Sequence, residues 1–306
     1  MKIALILTDR PAEPWKQHLL VHYPELDIHS WPDLPSPDDY QAAVVWKLPQ
    51  GLLSQFKKLE LICCIGAGVD HLLPDIPPRV RLTRVADRQL AMSMSHYIIM
   101  AVLNFQRSFH QYHTFQQEQR WQKAEPVEKA ISIGLLGLGE LGRETARQLS
   151  LLGFQVHGWS RSEKKLEGMQ TYAGDQGLKD MLPRVNVLVC LLPLTSQTED
   201  ILSLSLFRLL PAGSLLINVA RGGHLVEEDL IRALEEGWLS AAVLDVFRQE
   251  PLPAEHPFWQ HPQITITPHV ASVTDPASAA RQVAENLKRF AEGQPLLYEV
   301  VPSKEY

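Results

Sequence analysis

The sequence predicts an α/β fold of two parallel, doubly wound sheets, and three observations carry that prediction. Short apolar runs alternate with polar or helix-forming runs along most of the chain, as buried parallel strands and their crossover helices do. The alternation stops near residue 90 at a long amphipathic stretch and begins again at Ala130. At that restart, an apolar run over 130–136 leads into Gly137-Leu138-Gly139-Glu140-Leu141-Gly142, and a helix-forming run follows over 143–149. Strand, Gly-x-Gly-x-x-Gly, helix is the context of a dinucleotide fingerprint, so the second sheet reads as Rossmann-like. Gly137 permits the tight turn, Gly139 lets the backbone approach a pyrophosphate, and Gly142 lets helix and strand pack closely. The helix N-terminus, with Glu140 and Leu141 in its first turn, offers N–H groups and a partial positive charge to phosphate.

The bulk numbers agree with a globular protein. A chain of 306 residues is of two-domain size, and 45% hydrophobic with 21% charged residues is ordinary composition. A net charge of −6 argues against general binding to nucleic acid or to anionic membranes. The three cysteines, Cys63, Cys64 and Cys190, have no metal-site spacing and read as buried thiols, which suits a reducing cytoplasm. The apolar start ends too early, at Thr8-Asp9-Arg10, for a signal segment, and no run reaches membrane-spanning length.

In the first block, strands are predicted over 2–7, 26–29, 42–46, 61–65 and 80–83, with Pro32, Pro35 and Pro37 punctuating a loop. This block reads as a flavodoxin-like α/β unit of its own. Ile98, Val102, Phe105, Phe109 and Tyr112 then recur at helical spacing, which predicts one long bridging helix from Ser95 to about Gln119. In the second block, strands are predicted over 130–136, 154–159, 186–191, 214–218, 241–245 and 264–267. A last helix is well punctuated: Asp275 as N-cap, Pro276 at the first position, Gly293 just past the end. Its stripe is Ala280, Val283, Ala284, Leu287 and Phe290, and such a helix returns to the first unit. The expected domains are therefore a discontinuous one over 1–95 and 275–306 and a dinucleotide-binding one over 96–274.

A unit that binds NAD carries an acid for the ribose hydroxyls at the end of the second strand. Here that place reads Ser160-Arg161-Ser162, followed by Glu163, Lys164 and Lys165. Serine and arginine suit a 2′-phosphate, the arginine through charge-assisted, forked hydrogen bonds, so NADPH is expected over NADH. The competing reading is a solvated basic turn.

Three further segments stand at predicted strand ends, where open α/β sheets bind ligands. They are Asn218-Val219-Ala220-Arg221-Gly222, Leu244-Asp245-Val246-Phe247 with Glu250-Pro251-Leu252-Pro253, and Thr267-Pro268-His269. Singly, each has a bland reading as surface or loop charge. Together they resemble the signatures of the D-2-hydroxyacid dehydrogenases. Gly66-Ala67-Gly68-Val69-Asp70 matches that family's substrate loop, and Leu192-Pro193-Leu194-Thr195 with Thr198 its loop beside the cofactor. The resemblance runs from about Val44 to the C-terminus. It is closest to the bacterial glyoxylate/hydroxypyruvate reductase branch, which shares Trp-Ser-Arg at the cofactor anchor and a tryptophan where Trp46 stands.

The resemblance implies a catalytic set of Arg221, Glu250 and His269. Arg221 would fork to the carboxylate and ketone of a 2-oxo acid. His269, as imidazolium, would protonate the developing alkoxide, with Glu250 orienting it and supporting its charge. Ala67, Gly68 and Val69 would hold the substrate carboxylate through backbone N–H groups. Leu192, Pro193, Thr198, Ala220 and Asp245 would line the cofactor, Asp245 near its nicotinamide end. Trp46 reads either as the wall of a small pocket or as a core residue. Relatives often carry a glutamate where the bridging helix has His96. His110, His113, His256 and His261 read as solvated, and no metal is expected. The expected activity is NADPH-dependent reduction of glyoxylate and hydroxypyruvate by a cytoplasmic homodimer. The alternatives are an NAD-dependent dehydrogenase of a larger acid, a formate-oxidising relative, and a non-catalytic dinucleotide sensor on the same fold.

Overall fold

The structure is a computed structural model that describes residues 1–126, 128–166 and 168–300. Its strands are β1 Lys2–Ile6, β2 Asp27–Ser30, β3 Ala42–Val45, β4 Leu61–Cys64, β5 Arg81–Thr83, β6 Ser132–Leu136, β7 Gln155–Ser160, β8 Gln170–Ala173, β9 Val187–Cys190, β10 Ser214–Asn218, β11 Leu239–Leu244 and β12 Ile264–Ile266. Its helices are α1 Glu13–His22, α2 Arg88–Gln106, α3 Phe109–Gln117, α4 Glu140–Leu151, α5 Gly174–Met181, α6 Leu204–Phe207, α7 Glu227–Glu235 and α8 Pro276–Ala291. Two compact units result. One comprises Met1–Leu90 with the stretch from Thr274, the other Ala91–Val273. Residues 301–306, the end of the expected discontinuous domain, lie outside the described residues.

The first unit holds a parallel five-stranded sheet in the order β2-β1-β3-β4-β5, the flavodoxin-like order. Every residue of β3 and β4 is buried, which is why these strands read as unbroken apolar runs. α8 packs on α1 through a buried face that includes Ala280, Val283, Ala284 and Leu287. Asp275 caps it by accepting from the Ala277 N–H at 3.2 Å, and Gly293 takes a left-handed φ of 68° just beyond its end.

The second unit holds a parallel seven-stranded sheet in the order β12-β11-β10-β9-β6-β7-β8. The order reverses between β6 and β9, the switch point at which such sheets bind nucleotides. On one face Ile98, Val102 and Phe105 of α2 and Leu149 of α4 pack on Ile133, Leu135, Val187 and Ile217. Each fully buried side chain of this size stabilises the fold by roughly 1.5–3 kcal/mol.

Two elements differ from the prediction. The bridging helix starts earlier, at Arg88, where the Asp87 carboxylate accepts from the Leu90 N–H at 3.1 Å. It is also two helices, because Ser108 turns to a left-handed φ of 53° between α2 and α3. The edge strand β8 was not expected: Gln-Thr-Tyr-Ala, polar and only half-buried, lacks an apolar run.

Candidate active site

The residues of interest in the second unit stand beyond the C-terminal ends of its strands. After β6, Gly137 has φ 107°, and a Cβ there would lie 2.7 Å from the Leu191 carbonyl oxygen, so the turn admits only glycine. A Cβ at Gly142 would strike the Gly137 carbonyl, which lets α4 begin directly against the turn. Gly139 is different: a Cβ there would meet nothing within 4 Å. It is also the N-cap of α4 and supplies no side chain to the first-turn N–H groups. Room for close approach and an uncapped helix end suit a pyrophosphate. Leu138 is buried, whereas Glu140 is exposed and Leu141 half-buried.

At the end of β7, the Ser160 hydroxyl is mostly buried and donates to the Ser162 carbonyl at 2.8 Å. Exposed Arg161 donates to Gln197 Oε1 at 2.9 Å, and Lys164 Nζ donates to the Leu138 carbonyl at 3.1 Å. The basic groups thus border the glycine turn. After β9, Leu192 is buried and Pro193 exposed. Thr198 is an internal tie rather than an outward group. Its hydroxyl donates to the Pro193 carbonyl at 2.7 Å and accepts from the Thr195 N–H at 2.9 Å.

After β10, Asn218 shapes the Arg221 turn. Its amide accepts from the Ala220 N–H at 3.2 Å and donates to the Arg221 carbonyl at 3.0 Å. Ala220 is buried, and half-buried Arg221 donates to the Ala220 carbonyl at 2.7 Å. A Cβ at Gly222 would collide with the Phe247 backbone, so the Arg-Gly pair is what brings this turn against the next strand end.

After β11 and β12 come the acid and the histidine. His269 Nδ1 lies 2.8 Å from Glu250 Oε2, and Glu250 Oε1 accepts from the Phe247 N–H at 3.1 Å. This fixes the imidazole and leaves Nε2 as the nitrogen for proton transfer. His269 has a left-handed φ of 56°, a conformation that costs on the order of 1–3 kcal/mol outside glycine. Asp245 holds it there. Its carbonyl accepts from the His269 N–H at 2.9 Å. Its buried carboxylate accepts from the Thr267 hydroxyl at 2.6 Å and from the Val270 and Ala271 N–H groups at 2.8 and 2.9 Å. The Tyr97 hydroxyl on α2 lies 2.6 Å from Thr267 Oγ1. Asp245, expected near the nicotinamide end of the cofactor, thus also fixes the histidine turn, with three donors converging on its carboxylate.

His224 drew no attention in the sequence. It is fully buried, with Nε2 3.2 Å from the Pro193 carbonyl and Nδ1 close to both the N–H and the carbonyl of Arg221. Burial disfavours its charged form, but Cys190 and the two carbonyls outweigh burial and push its pKa up to about 8.

In the first unit, the Ala67, Gly68 and Val69 N–H groups have no backbone acceptor among the described residues. The Trp46 ring lies where a Cβ at Gly66 would be, and His71 bonds the Trp46 carbonyl at 2.8 Å. Trp46 thus borders this loop while also packing, half-buried, against the core of the first sheet. His96 is exposed, as are His110 and His113. His256 is not simply solvated: it faces Glu227 at 3.3 Å and accepts from the Phe258 N–H. Cys63, Cys64 and Cys190 are buried free thiols.

Residues 99–271 match the family described as D-isomer specific 2-hydroxyacid dehydrogenase, NAD binding domain. A glyoxylate/hydroxypyruvate reductase A of Serratia proteamaculans is 42% identical over 292 residues, 92% of this chain and 93% of the relative. Among solved structures, a D-isomer specific 2-hydroxyacid dehydrogenase of Xanthobacter autotrophicus in complex with NADPH and MES aligns with TM-score 0.93 and 37% identity over 99% of both chains. An NADPH-dependent glyoxylate/hydroxypyruvate reductase of Sinorhizobium meliloti, in complex with NADP and sulfate, aligns with TM-score 0.92 and 34% identity, covering 100% of this chain and 99% of that one.

Proposed function

The chain belongs to the D-isomer specific 2-hydroxyacid dehydrogenase family, and from that premise we propose that it reduces glyoxylate to glycolate and hydroxypyruvate to glycerate with NADPH. The observation that carries the reading is the 2.8 Å Glu250–His269 pair, at the same strand-end edge as Arg221 and the glycine turn. Bound NADPH supplies the hydride. Gly137, Leu138, Gly139, Glu140, Leu141 and Gly142 would take the pyrophosphate, supported by the open space at Gly139 and the uncapped start of α4. Ser160, Arg161 and Ser162 would take the 2′-phosphate, and Leu192, Pro193, Thr198 and Ala220 would border the nucleotide.

The chain's own groups do the rest. Arg221 forks to carboxylate and ketone, orients the substrate and polarises the carbonyl. The Ala67, Gly68 and Val69 N–H groups take the carboxylate, and Trp46 limits the size of the remaining substituent. His269 Nε2 gives its proton to the alkoxide oxygen as it forms, while the Glu250 carboxylate stabilises the imidazolium and prevents ring rotation. The first unit is on this reading the substrate domain, the second the dinucleotide domain.

The protein acts as a homodimer. Within the second unit, Phe109 is 62% exposed and Trp121 fully so, large apolar side chains that a partner subunit would cover. Three buried thiols suit the reducing cytoplasm. No helix among the described residues is long and apolar enough to cross a membrane. The test is to follow NADPH and NADH consumption with glyoxylate, hydroxypyruvate, pyruvate and a phosphorylated 2-oxo acid. Rapid NADPH-dependent turnover of the first two is expected, and preference for NADH with a larger acid would replace this reading.

A further inference from the structure

We propose that His224 is a positioning residue that ties the cofactor-side loop to the backbone of Arg221, one ring nitrogen to each. The inference rests on the reading that loop 192–198 borders the nucleotide and that Arg221 binds substrate. His224 closes the short helical turn Gly222–His224, whose N-cap is Arg221. Its ring reaches back to that N-cap as the glutamate of a capping box does. The Arg221 N–H donates to Nδ1 at 3.2 Å, and the Arg221 carbonyl lies 3.1 Å from the same atom. Nε2 reaches in the opposite direction, to the Pro193 carbonyl at 3.2 Å. A carbonyl only accepts, so Nε2 carries the hydrogen. The neutral ring then accepts from Arg221 N–H, and the imidazolium would donate to the Arg221 carbonyl. Either charge state holds both ends.

Both ends matter to different ligands. The Pro193 carbonyl also accepts the Thr198 hydroxyl at 2.7 Å, so it is the junction at which the 192–198 loop is folded. The Arg221 backbone is gripped on its other side by Asn218, which accepts from Ala220 and bonds the Arg221 carbonyl. His224 is fully buried between the two, with no route by which its ring could touch a substrate directly. Its action is through the placement of its neighbours.

Two substitutions separate the two ends. The amide in His224→Asn reaches only as far as Nδ1 and keeps the Arg221 contact while losing Pro193. The amide in His224→Gln reaches as far as Nε2 and keeps Pro193 while losing Arg221. The NADPH dissociation constant of each is read from cofactor fluorescence, and kcat and KM for glyoxylate from NADPH consumption. We expect His224→Asn to weaken NADPH about tenfold with kcat nearly unchanged. His224→Gln should bind NADPH as wild type does and lose about tenfold in kcat/KM for glyoxylate. Equal losses of both quantities in both variants, or no loss in either, would overturn the tether. Nitrogen-15 NMR of the wild-type protein gives a measurement that does not depend on variant folding: a slowly exchanging hydrogen on His224 Nε2 is expected, and a hydrogen-free Nε2 overturns the proposal. Should wild type bind NADPH without reducing glyoxylate, the assigned activity fails, while the NMR and the NADPH-binding comparison still decide the tether.

Discussion

His269 sits in a left-handed conformation that only its surroundings sustain, and those surroundings separate binding from chemistry. His269→Ala removes the proton donor and should lower kcat about a hundredfold to ten-thousandfold, with NADPH affinity unchanged. In Glu250→Gln the carboxylate that holds the imidazole at 2.8 Å is gone, and kcat should fall about tenfold to a hundredfold with NADPH affinity unchanged. Turnover and cofactor titration of wild type and variant check this, and an unchanged kcat denies Glu250 its part. Arg161→Ala should weaken NADPH roughly tenfold to a hundredfold and leave NADH nearly unchanged, as measured by cofactor titration. His224 adds a pH dependence of stability. Its folded pKa is raised from 6.5 to about 8, so its contribution, about 2 kcal/mol, is complete below 6.5 and is lost as pH rises through about 8. The gap between the thermal melts of wild type and His224→Asn should therefore narrow from pH 6.5 to about 9 by the contribution of the charged form. Arg221, Glu250 and His269 were legible in the sequence because each stands in a motif at a strand end. His224 and Tyr97 were not, because a buried histidine in a turn and a helix tyrosine have no pattern until the fold brings their partners together.

At the scale of elements, the glycine turn offers a contrast between two residues of one motif. Gly142→Ala drives a methyl into the Gly137 carbonyl and should lower both the melting temperature and NADPH affinity. Gly139→Ala meets no protein atom, so the protein should melt as wild type does yet bind NADPH at least tenfold more weakly. Calorimetry and cofactor titration on the pair check the claim that Gly139 is small for the ligand and Gly142 for the fold. The strands were legible for a related reason. Central parallel strands are covered on both faces, so β9 and β10 are buried throughout and their apolar runs, 187–190 and 215–217, stand out from their flanks. At the edge that signal fades, and half-buried β8 went unseen. The break after α2 was invisible because Ser108, neither glycine nor proline, takes the left-handed turn.

For the whole molecule, light scattering at micromolar concentration should give the mass of two chains. Trp121→Glu combined with Phe109→Glu should shift it to that of one without changing the circular dichroism of the protomer, since both side chains are exposed on the single chain. The arrangement of the units along the chain has a consequence for synthesis. Ala91–Val273 is one uninterrupted segment, whereas the other unit needs α8, made after that segment, to cover α1, made before it. On the ribosome the inserted unit can complete its sheet while the five-stranded one still exposes the face that α8 will close. The early-made unit therefore finishes late, and its contacts of greatest sequence separation set the slow step of refolding. Hydrogen-exchange labelling during refolding should protect the amides of β6, β9 and β10 before those of β1 and β3. A chaperone that binds exposed apolar surface would find its target on the α1 face of the five-stranded unit until α8 emerges.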